Sequence, residues 1–233
     1  MKTSLKLLLT LPALGLAAAL PSANAQLALS GSAYGTFLDP GVAHTTVTNG
    51  SDFSSFASGV AYRPSAPYND TQTSLSFDGN SFSGLGNGDR IDLGLLNITN
   101  GRTLVGTTAH DASMDIFLNL DGQASPFKLG TLLFTIDSTV NQGGLIPDQF
   151  LVDATTANSL NFGGRNVTFD VGFTNPAFGT GISIGEGTGA ETGLFATIHF
   201  TPVPEASTYA LWGAALLLGV VAVRRFRRPA VAA

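Results

Sequence analysis

The sequence predicts an all-β protein: an antiparallel, jelly-roll-like β-sandwich between an N-terminal signal peptide and a single C-terminal hydrophobic helix. Apolar and polar residues alternate with a period of two along several segments, as expected of half-buried strands. Turn-forming dipeptides separate these segments, and no long amphipathic helix pattern interrupts them. We therefore divide the chain into residues 1–25 (signal peptide), 26–202 (β-sandwich) and 203–233 (sorting and anchor segment).

The first 25 residues have the order of a secretory signal. Lys2 and Lys6 precede the apolar stretch 7–20, and the small residues Ala23 and Ala25 follow it. An apolar stretch of about 7 to 15 residues is typical of a signal peptide, whereas a membrane span needs about 20. The sequence predicts export through the Sec translocon and cleavage by signal peptidase after Ala25.

Strand alternation is clearest at residues 167–173, where Val167, Phe169 and Val171 share one face and polar residues share the other. The same pattern recurs at 114–120 and 194–200. Further strands are predicted at 27–37, 73–77, 90–99, 127–136 and 149–153.

Glycine-containing dipeptides between the predicted strands tolerate positive φ and indicate tight turns. They are Asn49-Gly50, Asp78-Gly79, Asn100-Gly101, Asp121-Gly122 and Gly143-Gly144. Many short strands spaced by such turns favour a sandwich, with a jelly roll or barrel as neighbouring alternatives. The glycine-rich segment 185–190 matches the letters of a dinucleotide-binding loop but lacks the flanking strand and helix, so we interpret it as a flexible loop.

The charge of the sandwich region excludes one class of partner. Residues 26–203 carry five of the 11 basic residues and 15 of the 16 acidic ones, a formal charge of −10. Such a surface repels phosphate, so we expect no nucleic-acid partner. The chain has no cysteine, which excludes disulfides and thiol chemistry, so its stability must come from an apolar core.

The sequence contains two short motifs typical of hydrolases, and neither has the context that catalysis requires. Ser183 stands in a Gly-x-Ser-x-Gly string at 181–185, but the residues that follow do not begin the helix that a nucleophile elbow requires. The adjacent pair His110 and Asp111 could orient an imidazole, yet no third partner is evident from the sequence. The remaining histidines, His44 and His199, are isolated. We therefore expect no enzymatic activity.

Paired carboxylates allow two further interpretations besides solvated turns. The pairs are Asp89 and Asp92, Asp111 and Asp115, and Asp148 and Asp153. A glycosidase needs two carboxylates facing each other across a cleft, and calcium needs several hard oxygen ligands from loops. No calcium-loop string occurs. We expect no cofactor, with calcium as an open alternative.

Aromatic residues raise the alternative of carbohydrate binding, since flat rings stack on sugar faces. Tyr34, Tyr62 and Tyr68 lie in or near predicted loops. The sandwich region has no tryptophan, because the single Trp of the chain is Trp212 in the tail.

The tail has three consecutive parts. The box Val203-Pro204-Glu205-Ala206-Ser207 precedes an apolar run at 209–223, and a cluster of four arginines follows: Arg224, Arg225, Arg227 and Arg228. The apolar run of 15 residues would form a helix of only about 22 Å, against a bilayer core of roughly 30 Å. Basic residues stay on the cytoplasmic side, which places the sandwich outside.

This order resembles the PEP-CTERM sorting signal of Gram-negative bacteria, although Ala206 stands where the second proline of the box is usual. The resemblance implies processing by an exosortase after transient anchoring in the inner membrane through 208–223. A plain tail anchor is the alternative. The sandwich region also resembles the choice-of-anchor K domain at Ser74 to Gly79, Ile91 to Gly94 and Asn100-Gly101, followed by 114–120. That family carries no assigned catalytic residues.

Taken with the tail, these features predict an exported, non-enzymatic protein of the cell surface, cell envelope or extracellular matrix, in a biofilm rich in exopolysaccharide. A carbohydrate-binding module is the first alternative, and a secreted hydrolase is the second.

Overall fold

The computed structural model describes residues 28–66, 69–139, 146–155, 159–202 and 212–220. It contains thirteen strands: β1 (Leu29–Leu38), β2 (Thr45–Asn49), β3 (Phe53–Ser58), β4 (Thr73–Gly79), β5 (Ser81–Leu85), β6 (Arg90–Asn100), β7 (Asp111–Leu120), β8 (Phe127–Asp137), β9 (Asp148–Thr155), β10 (Leu160–Phe162), β11 (Arg165–Phe173), β12 (Ile182–Ile184) and β13 (Thr188–Pro202). One 3-10 turn spans Pro176–Gly179.

The strands form two antiparallel sheets, which confirms the predicted all-β sandwich. Sheet A has six strands in the order β12-β9-β8-β7-β1-β5. Sheet B has seven in the order β10-β11-β13-β6-β4-β3-β2. All eight segments predicted as strands are strands, with ends that differ by a few residues.

A single apolar core lies between the sheets. The inward residues of each strand alternate with outward polar residues, as in β7, where Met114, Ile116 and Leu118 are buried. Aromatic rings join the two layers: Phe37 of β1 lies 6.0 Å from Phe56 of β3, between ring centroids. The rings therefore supply much of the buried apolar area that stabilises a chain without disulfides.

Side chains of sheet B cover the part of β1 that β5 does not pair. The Asn49 amide accepts from the Phe37 N–H at 2.8 Å and donates to the Phe37 carbonyl at 2.9 Å. The buried Ser54 hydroxyl donates to the Gly35 carbonyl at 2.6 Å. These bonds satisfy backbone groups that would otherwise be exposed at a sheet edge. They also connect the two sheets along one side.

The predicted turns have mixed outcomes. Asn49-Gly50 and Asp121-Gly122 lie at the ends of the β2–β3 and β7–β8 hairpins, as expected. Asp78-Gly79 is not a tight turn, because both residues are in β4 and pair with β6. The chain instead passes from sheet B to sheet A at Asn80, without a hairpin. A Cβ on Gly79 would lie 2.1 Å from the Ala33 carbonyl oxygen, so this close approach to β1 requires glycine.

Asn100-Gly101 is also not a tight turn: it begins the longer connection from β6 in sheet B to β7 in sheet A. Gly143-Gly144 lies outside the described residues. The tight β10–β11 turn, which we did not predict, is Gly163-Gly164, with φ of 58° and 74°. Two consecutive positive φ angles match the turn type that suits the twist of a hairpin.

The segment 185–190 was wrongly interpreted as a flexible loop. Only its first part is a turn, because β13 begins at Thr188 and pairs with β6 from that residue onward. Glycine removes the apolar alternation by which a strand is recognised, while its backbone still completes the ladder.

Residues 212–220 are helical and their side chains are exposed. Among the residues that the structure describes, no helix is long and apolar enough to cross a membrane. The signal peptide with Ala23 and Ala25, the sorting box 203–207 and the arginine cluster 224–228 lie outside the described residues.

Candidate ligand-binding face

An aromatic pair lies on the outer face of sheet A. Tyr34 of β1 and Phe117 of β7 are directly opposite each other in the ladder. Their rings are stacked, with centroids 5.2 Å apart and planes inclined by 14°. Both side chains are half-buried, and each ring covers only one face of the other. The pair therefore adds aromatic surface to the outer face of sheet A, which also carries polar side chains and the exposed Leu38 and Leu133.

A polar cluster lies beside this pair. The Lys128 ammonium donates to Asp115 Oδ1 at 2.7 Å, and the Thr131 hydroxyl donates to the same oxygen, also at 2.7 Å. Asp115 is two residues from Phe117 on the same face of β7, and Lys128 pairs with Phe117 across the ladder. These contacts fix the carboxylate and the ammonium next to the rings, where both can bond to hydroxyl groups.

Two shallow grooves flank the aromatic pair. One, of about 440 Å³, is lined by serines of β1 and β5 together with Asn119 and Asp121. The other, of about 480 Å³, is lined by Leu38, Leu133, Asp111 and Asp153, among others. Along β7 the outward positions from Asn119 to Asp111 span roughly 26 Å at about 3.3 Å per residue.

We call this surface the sheet A face and define it by its outward residues around the pair, which are Ser32, Tyr34, Thr36, Leu38, Ser113, Asp115, Phe117, Asn119, Lys128, Thr131 and Leu133. Its elongated form, with hydroxyl groups on both sides of an aromatic centre, is suited to an extended, hydroxylated chain.

The three tyrosines of the sequence prediction do not come together. Tyr34 is on the sheet A face, whereas Tyr62 is 43% exposed and lies between two guanidinium groups. Arg102 Cζ is 5.1 Å and Arg63 Cζ is 5.2 Å from the Tyr62 ring centroid. Tyr68 lies outside the described residues.

A buried carboxylate, Glu186, lies beside Arg102, whose guanidinium group contacts the Tyr62 ring. The Glu186 side chain is 1% exposed and its Oε2 lies 3.5 Å from Arg102 Nε. Burial raises the pKa of Glu186, Arg102 opposes this, and the charges of Asp148 and Asp70 raise it further. Neither carboxylate oxygen has a hydrogen-bond partner among the described residues. The buried contact between Glu186 and Arg102 was not predicted from the sequence, because a single glutamate in a glycine-rich turn is expected to be exposed to solvent.

The histidines occupy three separate places. His110 lies between two carboxylates, with Nδ1 3.0 Å from Asp111 Oδ1 and Nε2 3.2 Å from Asp137 Oδ1. The hydrogen bond and charge of Asp111 raise the pKa of His110. His199 Nε2 is 2.9 Å from Asp170 Oδ2 on the outer face of sheet B. His44 precedes β2 with a φ of 62°.

Ser183 is part of the edge strand β12 (Ile182–Ile184) and not of a turn that leads into a helix. Its hydroxyl accepts a hydrogen bond from the Gln149 side chain. Both nitrogens of His110 contact carboxylates. The described residues therefore do not bring the candidate serine and histidine into a triad arrangement.

The paired carboxylates are used locally. Asp89 accepts from the Gly86 N–H at 2.7 Å, and Asp92 accepts from the Asn80 side chain at 3.2 Å. The buried Asp148 accepts from both the N–H and the hydroxyl of Thr139. Within the described ranges, no group of three or more His, Cys, Asp or Glu residues is placed to hold a metal ion.

No protein-family model matches the chain, and no curated protein matches it in sequence.

Proposed function

We propose that this chain is an exported, non-enzymatic protein of a Gram-negative cell surface, envelope or extracellular matrix, sorted by its PEP-CTERM-like tail in an exopolysaccharide-rich biofilm. The observation that carries the proposal is the order of the tail: a Pro-Glu box at 203–207, an apolar run and four arginines. The last strand of the sandwich, β13, ends at Pro202, next to this box. A folded, acidic, cysteine-free module directly attached to a sorting signal fits a role in display.

Processing of the tail follows from this proposal. An exosortase recognises the box and the short helix, the inner membrane holds 208–223 transiently, and the mature protein leaves the membrane. The choice-of-anchor K resemblance supports the same role, and a jelly-roll-like connectivity remains the finer prediction for the sandwich.

The sorting proposal is tested by neutralising the arginine cluster in the native host. The variant replaces four residues by Gln: Arg224, Arg225, Arg227 and Arg228. A control variant replaces the same residues by Lys and keeps the positive charge. We expect the Gln variant to change the distribution among membrane, surface and medium, and the Lys variant to behave as the natural chain does. An unchanged distribution of the Gln variant, or released protein that retains Trp212 and Phe226 by mass spectrometry, contradicts the proposal.

We infer a second function, carbohydrate binding, from one specific observation: the stacked Tyr34–Phe117 pair on the sheet A face, 5.2 Å between centroids. Aromatic rings contact the apolar faces of sugars, and the Asp115–Lys128 pair beside them supplies an acceptor and donors for hydroxyl groups. The formal charge of −10 on residues 26–203 favours a neutral exopolysaccharide over an anionic one. A hydrolase activity, the remaining alternative, has no comparable support in the described residues.

Binding is tested with the full chain in mild detergent and with insoluble cellulose, curdlan and cross-linked dextran, and with alginate beads as an anionic comparison. We expect retention on at least one neutral glucan and a roughly 2- to 10-fold loss of affinity for Phe117→Ala, because an aromatic contact contributes about 0.5–1.5 kcal/mol. Tyr62→Ala removes an exposed ring outside the face and serves as the matched control. Equal retention of the Phe117→Ala variant, or retention on alginate alone, contradicts the inference.

A further inference from the structure

The four edge strands of the two sheets contain no charged residue. They are β2 (TTVTN), β5 (SFSGL), β10 (LNF) and β12 (ISI). An edge strand presents unpaired N–H and C=O groups, and natural sheets prevent pairing at such edges with lysine, proline, bulges or very short strands. Charge and proline are therefore not the means by which this sandwich protects its edges.

Three of the edges are protected in other ways. β10 and β12 have only three residues each. β5 contains Gly84 at a φ of 68°, and its pairing with β1 shifts register between Leu29 and Gly31. Short or irregular edges offer a poor template for another strand.

β2 has none of these features. Its five residues pair with β3 without a register shift, and it contains no glycine or proline. The Gly59 N–H donates to the His44 carbonyl at 3.1 Å, so these two residues are a hydrogen-bonded pair. Hydrogen-bonded and non-hydrogen-bonded pairs alternate along an antiparallel ladder. The backbone groups of Thr46 and Thr48 therefore point to β3, and those of Thr45, Val47 and Asn49 point to the open edge.

We propose that the β2 edge is a self-association surface, at which the β2 strands of two copies of this chain pair antiparallel about a twofold axis. In this arrangement Val47 faces Val47 of the other copy, and Thr46 faces Thr48 of the other copy. The exposed threonines form cross-strand pairs that stabilise sheets, and no charged side chains oppose each other across the join.

A second copy is the occupant that the sequence of β2 favours, because Thr46, Val47 and Thr48 read the same in both directions and therefore match themselves in an antiparallel pair. The strand is neutral, so two copies can meet at β2, while the formal charge of −10 on each sandwich region repels over longer distances. Salt screens that repulsion, whereas it leaves the backbone hydrogen bonds across the join unchanged. Association is therefore expected to strengthen as the ionic strength rises.

The test uses sedimentation velocity of the full chain in one mild detergent, over a range of concentration and salt. The variant Thr46→Lys with Thr48→Lys places two like-charge pairs across the twofold join, and we expect association on the order of tenfold weaker. The matched variant Thr46→Lys with Thr48→Glu places two opposite-charge pairs there, and we expect it to associate at least as well as the natural chain. Circular dichroism checks that each variant is folded.

Disulfide formation tests the proposed pairing of Thr46 with Thr48 of the other copy without introducing charged side chains. Because the chain has no cysteine, protein carrying Thr46→Cys can be mixed with protein carrying Thr48→Cys under mild oxidation. We expect a disulfide-linked heterodimer in the mixture, with less dimer when each variant is oxidised alone. A natural chain that stays monomeric at every concentration and salt level, charge variants that behave alike, or no preference for the mixed disulfide would each overturn the proposal.

Discussion

Gly35 tests how tightly the sandwich core is packed. It faces inward on β1, and a Cβ at this position would lie 2.6 Å from Met114 Sδ and 2.9 Å from Phe77 Cδ1. Ordinary contact begins at 3.4 Å, so the sulfur would have to move by roughly 0.8 Å (3.4 less 2.6) and the ring by less. Met114 and Phe77 are both fully buried and have little room to retreat.

For Gly35→Ala we therefore expect a loss of about 2 kcal/mol in the free energy of unfolding, within the range of about 1–3 kcal/mol for an overpacked core. In a domain of this size the melting temperature would fall by about 4–8 °C. Thermal unfolding and urea unfolding, both followed by circular dichroism, measure the change. Thr36→Ser, on the outward side of the same strand, is the control and should change stability by less than about 0.5 kcal/mol.

A double-mutant cycle with Met114→Ala separates packing from any other effect of the added methyl group. Met114→Ala alone should cost about 2–5 kcal/mol, because it leaves a cavity. With Gly35→Ala present, the methyl group occupies part of that cavity and the contact with sulfur is gone. We expect the double variant to be more stable than the sum of the two single losses by about 1 kcal/mol or more. Strict additivity would refute the packing argument.

Three further predictions concern other parts of the fold. Gly79→Ala should be much more damaging than Gly35→Ala and should reduce the yield of folded protein, because its Cβ would meet a backbone oxygen at 2.1 Å rather than a flexible side chain. Asn49→Ala should cost about 1–3 kcal/mol in urea unfolding, because it removes both hydrogen bonds to Phe37. Glu186→Gln should become more stable relative to the natural chain as pH rises from about 4 to 7. Because the pKa of Glu186 is raised in the folded protein, protonated Glu186 stabilises the fold at pH values below its unfolded-state pKa. That stabilisation is lost as pH rises through the folded-state pKa. A stability difference that does not vary with pH would contradict this assignment.

The sequence predicted the central strands well, because their apolar residues repeat with period two over many positions. β2 was not predicted, since only Val47 of its five residues packs against the core and the strand shows no alternation to detect. The start of β13 was missed for a different reason: its first residues include glycine, and the ladder with β6 holds them through backbone bonds. Both failures arise where pairing, not side-chain burial, determines the structure.

The candidate site was predicted only in part. Tyr34 was singled out from the sequence, but its partner Phe117 was not, because the pairing depends on the register between β1 and β7. A signal was available, since Phe117 is an aromatic residue on the polar side of an alternating strand. The buried position of Glu186 depends on loops that meet only in the folded chain, so local pattern could not reveal it.

The position of β13 determines how the sandwich would respond to mechanical load. The strand has 15 residues and lies between β11 and β6, within sheet B and away from its edges. Tension applied at Pro202 pulls along this strand, so the ladders on both sides must slide together before it can leave the sheet. A strand loaded in shear between two neighbours resists extraction better than an edge strand that can be peeled away one bond at a time.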